Sequence, residues 1–315
     1  MYTGLRVVLV AKFNERYHRA GPAIAAALES LGCDVLRCEE RTRGLDRWLL
    51  RPVGGRLLHA VRGHRPDLVL VFKGATVDPE IIAAIRPAAP VARWANWFPD
   101  SPHLLDLSLR IGAGYDHCFV FDTSMVDRHR ALGRAASYLA EGCDPASHRP
   151  LPDAGWPRSP IAFVGTHEPD RAKAIENLRD LGLTTWGPGW PKGPLYGNDF
   201  IRAFSNADVA LNVHQFFGEP PERGRYGTGA NRRVFELAAI GTVQLCDAKG
   251  DLARNFEAGS EVVTFRDPRE LRAATEGLLA DPVRRQSIGA RARARALGEH
   301  TWRHRLEALL ATMMP

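Results

Sequence analysis

Short apolar runs punctuate the first half of the chain, each set off by turn residues or by a stretch with helical spacing. RVVLVA (6–11), DVLRC (34–38), DLVLVF (67–72), VARWANWF (91–98), HCFVF (117–121) and SYLAEG (137–142) are predicted strands. AIAAALESL (23–31), closed by Gly32, is a predicted helix. Runs that are apolar on both faces and alternate with helices indicate a parallel, doubly wound sheet. The segment CDPASHRPLPDAGWPRSP (143–160) has five prolines and no apolar period, so it reads as an interdomain linker.

The pattern then restarts. IAFVGT (161–166) is a strand, 168–181 a helix, TTWGPG (184–189) a strand, and ADVALNV (207–213) another. A helix over about 231–240 leads to strands TVQLCD (242–247) and EVVTF (261–265), and helices are predicted over 268–280, 283–297 and 301–312. The expected fold class is α/β, with two Rossmann-like doubly wound domains facing a cleft, 1–150 and 151–300, and a C-terminal helix in 301–315. In such sheets ligands lie beyond the carboxyl ends of the strands.

Composition adds a constraint on partners. The 315 residues are 45% hydrophobic and 25% charged, enough apolar material for two cores. A formal charge of +6, carried mostly by arginine, suits a nucleotide diphosphate, an anionic lipid surface or nucleic acid, or has no binding meaning. The cysteines, Cys33, Cys38, Cys118, Cys143 and Cys246, never form a CxxC pair and read as small core residues in a reducing compartment. MYTGLRVVLVAKFN opens with an apolar run too short for a membrane span, so a cytoplasmic enzyme is expected.

The candidate chemistry begins with RYGTGANRRVFELAAIGTVQL (225–245). Arg232 and Arg233 precede Glu236 at the front of a helix, where cations oppose the macrodipole and the Arg-before-Glu order is the weaker one. Gly227 and Gly229 let backbone approach a ligand, and Asn231 or Thr228 can cap the helix. Together these residues make an anion site fit for a diphosphate, with Glu236 placed to accept sugar or ribose hydroxyls; the alternative is a plain intrahelical salt bridge.

A second anion site is suggested by FVGTHEPDR (163–171), where Gly165 and Thr166 end a strand and Arg171 and Lys173 lie in the next first turn. In WANWFPDSPHLLD (94–106), Ser101 and Pro102 look like a cap and first helical residue. Asp100 and His103 then project at a strand end, where a general base for an acceptor hydroxyl belongs, or Asp100 organises a turn. Trp94 and Trp97 either stack on an acceptor or belong to the core. His214, at a strand end with Asn212, touches a ligand or is a satisfied loop histidine.

His300 and His304 read as helix-surface residues, and RRQSIGARARARAL (284–297) as a solvated arginine stripe that also suits contact with an anionic membrane. DxD, HExxH and P-loop motifs are absent, and no nucleic-acid-binding motif supports the charge.

The pieces FVGTHEPDR, ADVALNV, NRRVFELAAIG, DLARNFEAGSEVVTF, DPRELRAATEGLLADPVRRQSI and HTWRHRLEALL resemble the CgeB-like (spore-maturation-protein type) glycosyltransferases of the GT-B fold, over most of 161–312. RPDLVLVFKG, WFPDSP and EGCDPASHRP match more loosely in the first half. The resemblance implies a nucleotide-sugar donor held by the second domain, an acceptor at the first, no cofactor or metal, and a last helix crossing back. It assigns the diphosphate to Arg171 and Arg232 or Arg233, the close approach to Gly165, and the donor ribose to Glu236. Thr166, Gly187, Asn212, His214 and Gly229 complete the donor set. The earlier glutamate of the related E-x7-E motif is Thr228 here, so stereochemistry stays open. Rival functions are a nucleotide-sugar epimerase and a non-catalytic nucleotide-sugar-binding protein.

Overall fold

The computed structural model describes residues 2–13, 20–40, 53–100, 102–219 and 223–315. The chain divides into two compact units, Met1–Ala140 with Trp302–Pro315, and Glu141–Thr301. In the first, β1 (Arg6–Ala11), α1 (Ala20–Ser30), β2 (Asp34–Glu39), α2 (Val53–His64), β3 (Leu68–Phe72), α3 (Pro79–Ile85), β4 (Arg93–Phe98), α4 (Leu105–Gly112), β5 (His117–Val120), α5 (Thr123–Arg130) and β6 (Ala136–Tyr138) follow in order. The strands pair in the order β2-β1-β3-β4-β5-β6, and every pair is parallel. Val7 lies opposite Leu68 across β1 and β3.

Why the sheet needs helices on both faces follows from β1 itself. Val7, Leu9 and Ala11 face one way and meet Ile24 and Leu28 of α1; Val8 and Val10 face the other and meet Leu57 and Val61 of α2. Alternate side chains of a strand point to opposite faces, so an apolar run of this kind is stable only between two helical layers.

The second unit runs β7 (Ser159–Val164), α6 (Pro169–Ile175), β8 (Leu183–Trp186), α7 (Gly197–Ser205), β9 (Ala207–Asn212), α8 (Arg232–Ile240), β10 (Gln244–Asp247), β11 (Val263–Phe265), α9 (Pro268–Ala280) and α10 (Pro282–Glu299). Its sheet is parallel throughout, in the order β11-β10-β9-β7-β8, and strand order reverses between β7 and β9. Asp267 and Asp281 cap α9 and α10, each with proline at the first turn, which fixes where both helices start. The last helix, α11 (Trp302–Met313), packs into the first unit: Trp302 meets Trp97 edge-on at 5.4 Å, and Leu306 and Leu310 join the core under α1.

Two expectations change. The proline-rich segment 143–160 is not a linker between units but part of the second, which begins at Glu141. Cys143 N–H donates to His300 O, Leu151 N–H to Ser205 Oγ and Asp153 N–H to Asn206 Oδ1, long-range bonds that proline content does not reveal. Trp94 and Trp97 are fully buried, so they are core residues and no stacking platform. All five cysteines are buried and stand outside any disulfide.

Candidate functional site

In the second unit the carboxyl ends of β7, β9 and β10 carry most of the singled-out residues. Asn231 caps α8, its Oδ1 accepting the Val234 N–H at 3.3 Å, and Gly241 closes the helix at φ 86°. Arg232 and Arg233 both converge on Glu236: Arg232 Nε donates to Oε1 at 2.9 Å and Arg233 Nη1 to Oε2 at 3.0 Å. His148 Nε2 lies 3.6 Å from Oε1, and the Arg233 guanidinium stacks 4.2 Å over the Phe200 ring. Burial alone would raise the Glu236 carboxyl, but the charges of Arg233, Arg232 and His148 outweigh it and hold it at about 2. Each carboxylate oxygen already faces an arginine, and the side chain is 9% exposed, which leaves little of it for a ribose.

The helix N-terminus is also taken. Arg232 N–H donates to Glu141 Oε2 at 3.0 Å, so an internal carboxylate occupies the place expected for an external anion. Asn231 N–H donates to His214 Nε2 at 3.0 Å. That leaves His214 Nδ1 as the protonated nitrogen, donating to Asp247 Oδ1 at 2.8 Å. Asp247 also accepts the His214 N–H and the Tyr226 hydroxyl. Burial would raise this carboxyl too, and His214 and Tyr226 together bring it below the ordinary value.

Asn212 is likewise committed, its amide bonded to Asn231 and Gln244. His214 and Asn212 therefore fix the start of α8 and the loop before it, and their buried side chains are not presented to a ligand. Lys249 Nζ donates to the Gly227 carbonyl at 2.7 Å, and Thr228 Oγ1 donates to Asp251 Oδ2 at 3.0 Å, so the glycine loop that contains Gly229 is pinned along its length.

Among the described residues, His214, Cys246 and Asp247 are the group whose ligand atoms lie within 4.8 Å of one another. The histidine and the carboxylate are consumed by the bonds just given, and burial pushes the Cys246 thiol well above its usual range, away from the thiolate that a metal requires. As a donor set this group does not fit a metal.

Arg171, on α6, differs from all of these. It is 7% exposed, and its guanidinium donates to two neutral carbonyls, Thr166 O and Val213 O, the latter at 3.3 Å. Its Nε is buried without a hydrogen-bond partner, and no carboxylate lies within ion-pair distance among the described residues. Burial lowers its pKa, only partly opposed by the more distant Glu168 and Asp247 charges, and its own charge is felt at Arg233. Gly165 ends β7 beside it, and a Cβ there would stand 2.9 Å from the Phe163 ring. Gly187, at φ 137°, lies so close to Gly165 that a Cβ would be 2.0 Å from its carbonyl oxygen; Gly187 is there to let two strand ends meet.

In the first unit, Asp100 forms an ion pair with Lys73 at 2.8 Å, and both side chains are about one-quarter exposed. Lys73 holds a left-handed backbone, φ 68°, with Asn96 Nδ2 donating to its carbonyl at 3.1 Å. His103 lies in the short helical turn Pro102–Leu104, and Ser101 lies outside the described residues.

Further corrections concern charge and histidine. His300 is buried, with Nε2 2.6 Å from Asn255 O and rings of Phe235 and Phe256 around it; it is not a surface residue. The arginines of α10 are largely committed within the chain: Arg285 to Leu278 O and Leu279 O, Arg291 to Ser260 O, Arg293 to Ala239 O and Arg295 to Glu299. They do not form a free stripe for a membrane. No helix among the described residues is long and apolar enough to cross one. Glu141, His148, Lys73, Tyr226 and Lys249 went unremarked in the sequence, where only Asp247, an acid at a strand end, gave any signal.

Residues 171–311 match a protein-family model described as glycosyl transferase-like. No curated protein matches the sequence. Among solved structures, sucrose-phosphate synthase from Thermosynechococcus elongatus superposes with a TM-score of 0.68 at 13% identity, over 98% of each chain. Anabaena Alr3699/HepE, solved with UDP and glucose, gives 0.64 at 11% identity, over 98% of this chain and 99% of that one. A glycosyltransferase from Rickettsia africae gives 0.63 at 10%, over 99% and 98%. Residues 171–311 are thus similar to glycosyl transferase-like proteins, and the chain shares the two-sheet α/β architecture of these GT-B structures.

Proposed function

We propose that the protein transfers a sugar from a nucleotide-diphosphate sugar to an acceptor, without a metal, and that the diphosphate is held in the second unit beside Arg171. The observation that carries this reading is the buried arginine with no counter-ion among the described residues. A desolvated charge is costly unless it is paired, and the strand ends supply only neutral carbonyls to it. A diphosphate would provide the missing anion. Arg232 and Arg233, held in place by Glu236, add positive charge on the same edge.

In the transfer an acceptor hydroxyl oxygen bonds to the anomeric carbon while the bond from that carbon to the diphosphate oxygen breaks. The electron pair leaves with the diphosphate and the hydroxyl proton passes to a base. Arginines held in place before reaction stabilise the charge that builds on the leaving group, which is the part a metal would otherwise take. Asp100, on the first unit's sheet edge, is the acceptor-side carboxylate in this reading, and Lys73 sets its orientation. The UDP complex of the Anabaena neighbour makes uridine the first nucleotide to try.

The test is calorimetric titration with UDP, GDP, dTDP and ADP, with and without magnesium, on the wild type and on Arg171→Ala and Arg232→Ala. One nucleotide should bind at about micromolar Kd, roughly −8 kcal/mol, indifferent to magnesium and far more weakly in Arg171→Ala. If none binds, or if Arg171→Ala binds as well as the wild type, the diphosphate site is wrong.

A further inference from the structure

At the opposite, amino edge of the first sheet lies a concavity of about 640 Å³ that the reading above does not use. Arg6, Arg62 and Arg65 line it together with an apolar wall of Pro66, Pro87, Pro90 and neighbouring alanines. Val91, on the rim, is 84% exposed. Arg6 shares its guanidinium with Asp67 at 3.4 Å. The side chains of Arg62 and Arg65 make no ion pair or hydrogen bond among the described residues.

Both arginines are exposed, and two features set them apart from the other arginines of the chain. Most arginines of α10 are tied to carbonyls or carboxylates, whereas the guanidinium groups of Arg62 and Arg65 have no partner among the described residues. In addition, Arg65 holds a left-handed backbone, φ 49°, immediately before a proline. A side chain with a Cβ pays for that conformation, and a following proline restricts the residue before it further. That conformation closes α2, with Arg65 N–H donating to Val61 O at 2.9 Å, and it sets where the side chain leaves the helix end. Arg62 also sits in the last turn of α2, where a cation offsets the carbonyl end of the helix dipole; Arg65 lies past the helix and has no such role.

We propose that this concavity is a second anion site, for a phosphate group carried on a small organic body. Arg62 and Arg65 are the phosphate donors, since their planar forks match phosphate oxygens in pairs. The proline wall seats the carbon part. The phosphate can belong to a soluble ester or to a lipid headgroup, and the chemistry of recognition is the same.

The experiment uses the full chain with Arg62→Gln/Arg65→Gln and, separately, Val91→Ser. Binding of inorganic phosphate and of glycerol 3-phosphate is measured by calorimetry, and pelleting is measured with phosphatidylcholine vesicles with and without phosphatidic acid. The expected result is binding in at least one arm that weakens about tenfold or more in the double variant, the loss of one or two charge-assisted hydrogen bonds. Binding of glycerol 3-phosphate alone identifies a soluble ester. Pelleting with phosphatidic acid, reduced also by Val91→Ser, identifies a lipid headgroup. No binding in either arm, or binding that the double variant leaves unchanged, overturns the proposal. UDP titration of the same variants keeps the two readings apart: these residues belong to the first unit and the proposed diphosphate site to the second, so UDP affinity should not move.

Discussion

Two groups of charge stand in the second unit, and only one of them is closed. Around Glu236, two arginines and a histidine meet a carboxylate, and the helix N-terminus beside them is filled by Glu141. Around Arg171 the cation meets two carbonyl oxygens and, at 5.4 Å, the Phe163 ring, and no carboxylate among the described residues. The more conspicuous sequence motif turns out to be the one whose charges are balanced inside the chain, and the weaker one is unbalanced. A ligand is expected where the protein leaves a buried charge without a partner, however plain the motif that delivers it.

The largest expected effect falls on the closed group. Glu236→Ala leaves two arginines facing each other in a partly buried place, a loss of about 3 kcal/mol that lowers the melting temperature by roughly 6–12 °C. Calorimetric melting reads it. Arg171→Ala should do the reverse: little change in melting, since a buried unpaired cation is removed, but UDP affinity down about 100-fold, near the 2.7 kcal/mol typical of one lost donor. If both variants lost stability alike and nucleotide binding survived, the distinction between the two groups would collapse.

Acid sharpens the same contrast. The folded Glu236 carboxyl, at about 2, lies below its ordinary value of 4.5, so its contribution is complete above that value and fades as the pH falls toward 2. Melting temperatures of wild type and Glu236→Gln should therefore converge through this range, and parallel curves would contradict it. The smallest effect is expected at Asp247. Tyr226→Phe removes one of its three donors, costing about 1 kcal/mol in melting and leaving UDP affinity nearly intact.

The strands were legible because buried parallel strands are apolar runs, and β1, β3 and β9 are close to where the runs place them. The start of α8 was legible in its cap, Asn231, and in its two arginines. Their partners were not: Glu141 is 91 residues from Arg232 in sequence, and nothing local announces it. The same reason explains His300, whose neighbours Asn255 and Phe235 come from other elements, and the proline-rich segment, whose anchors lie some fifty residues downstream. Side chains that meet across elements leave no periodic trace.

The excursion of the chain out of the first unit at Ala140 and back at Trp302 has a consequence for synthesis. The second unit is continuous in sequence and can close as soon as it has left the ribosome. The first, although made earlier, must wait: Trp302, Leu306, Leu309, Leu310 and Met313 belong to its core and emerge only after the whole second unit. Until then α1 alone covers that face of its sheet, and a newborn chain stalled or clipped after Thr301 would present the remaining apolar surface to chaperones and proteases.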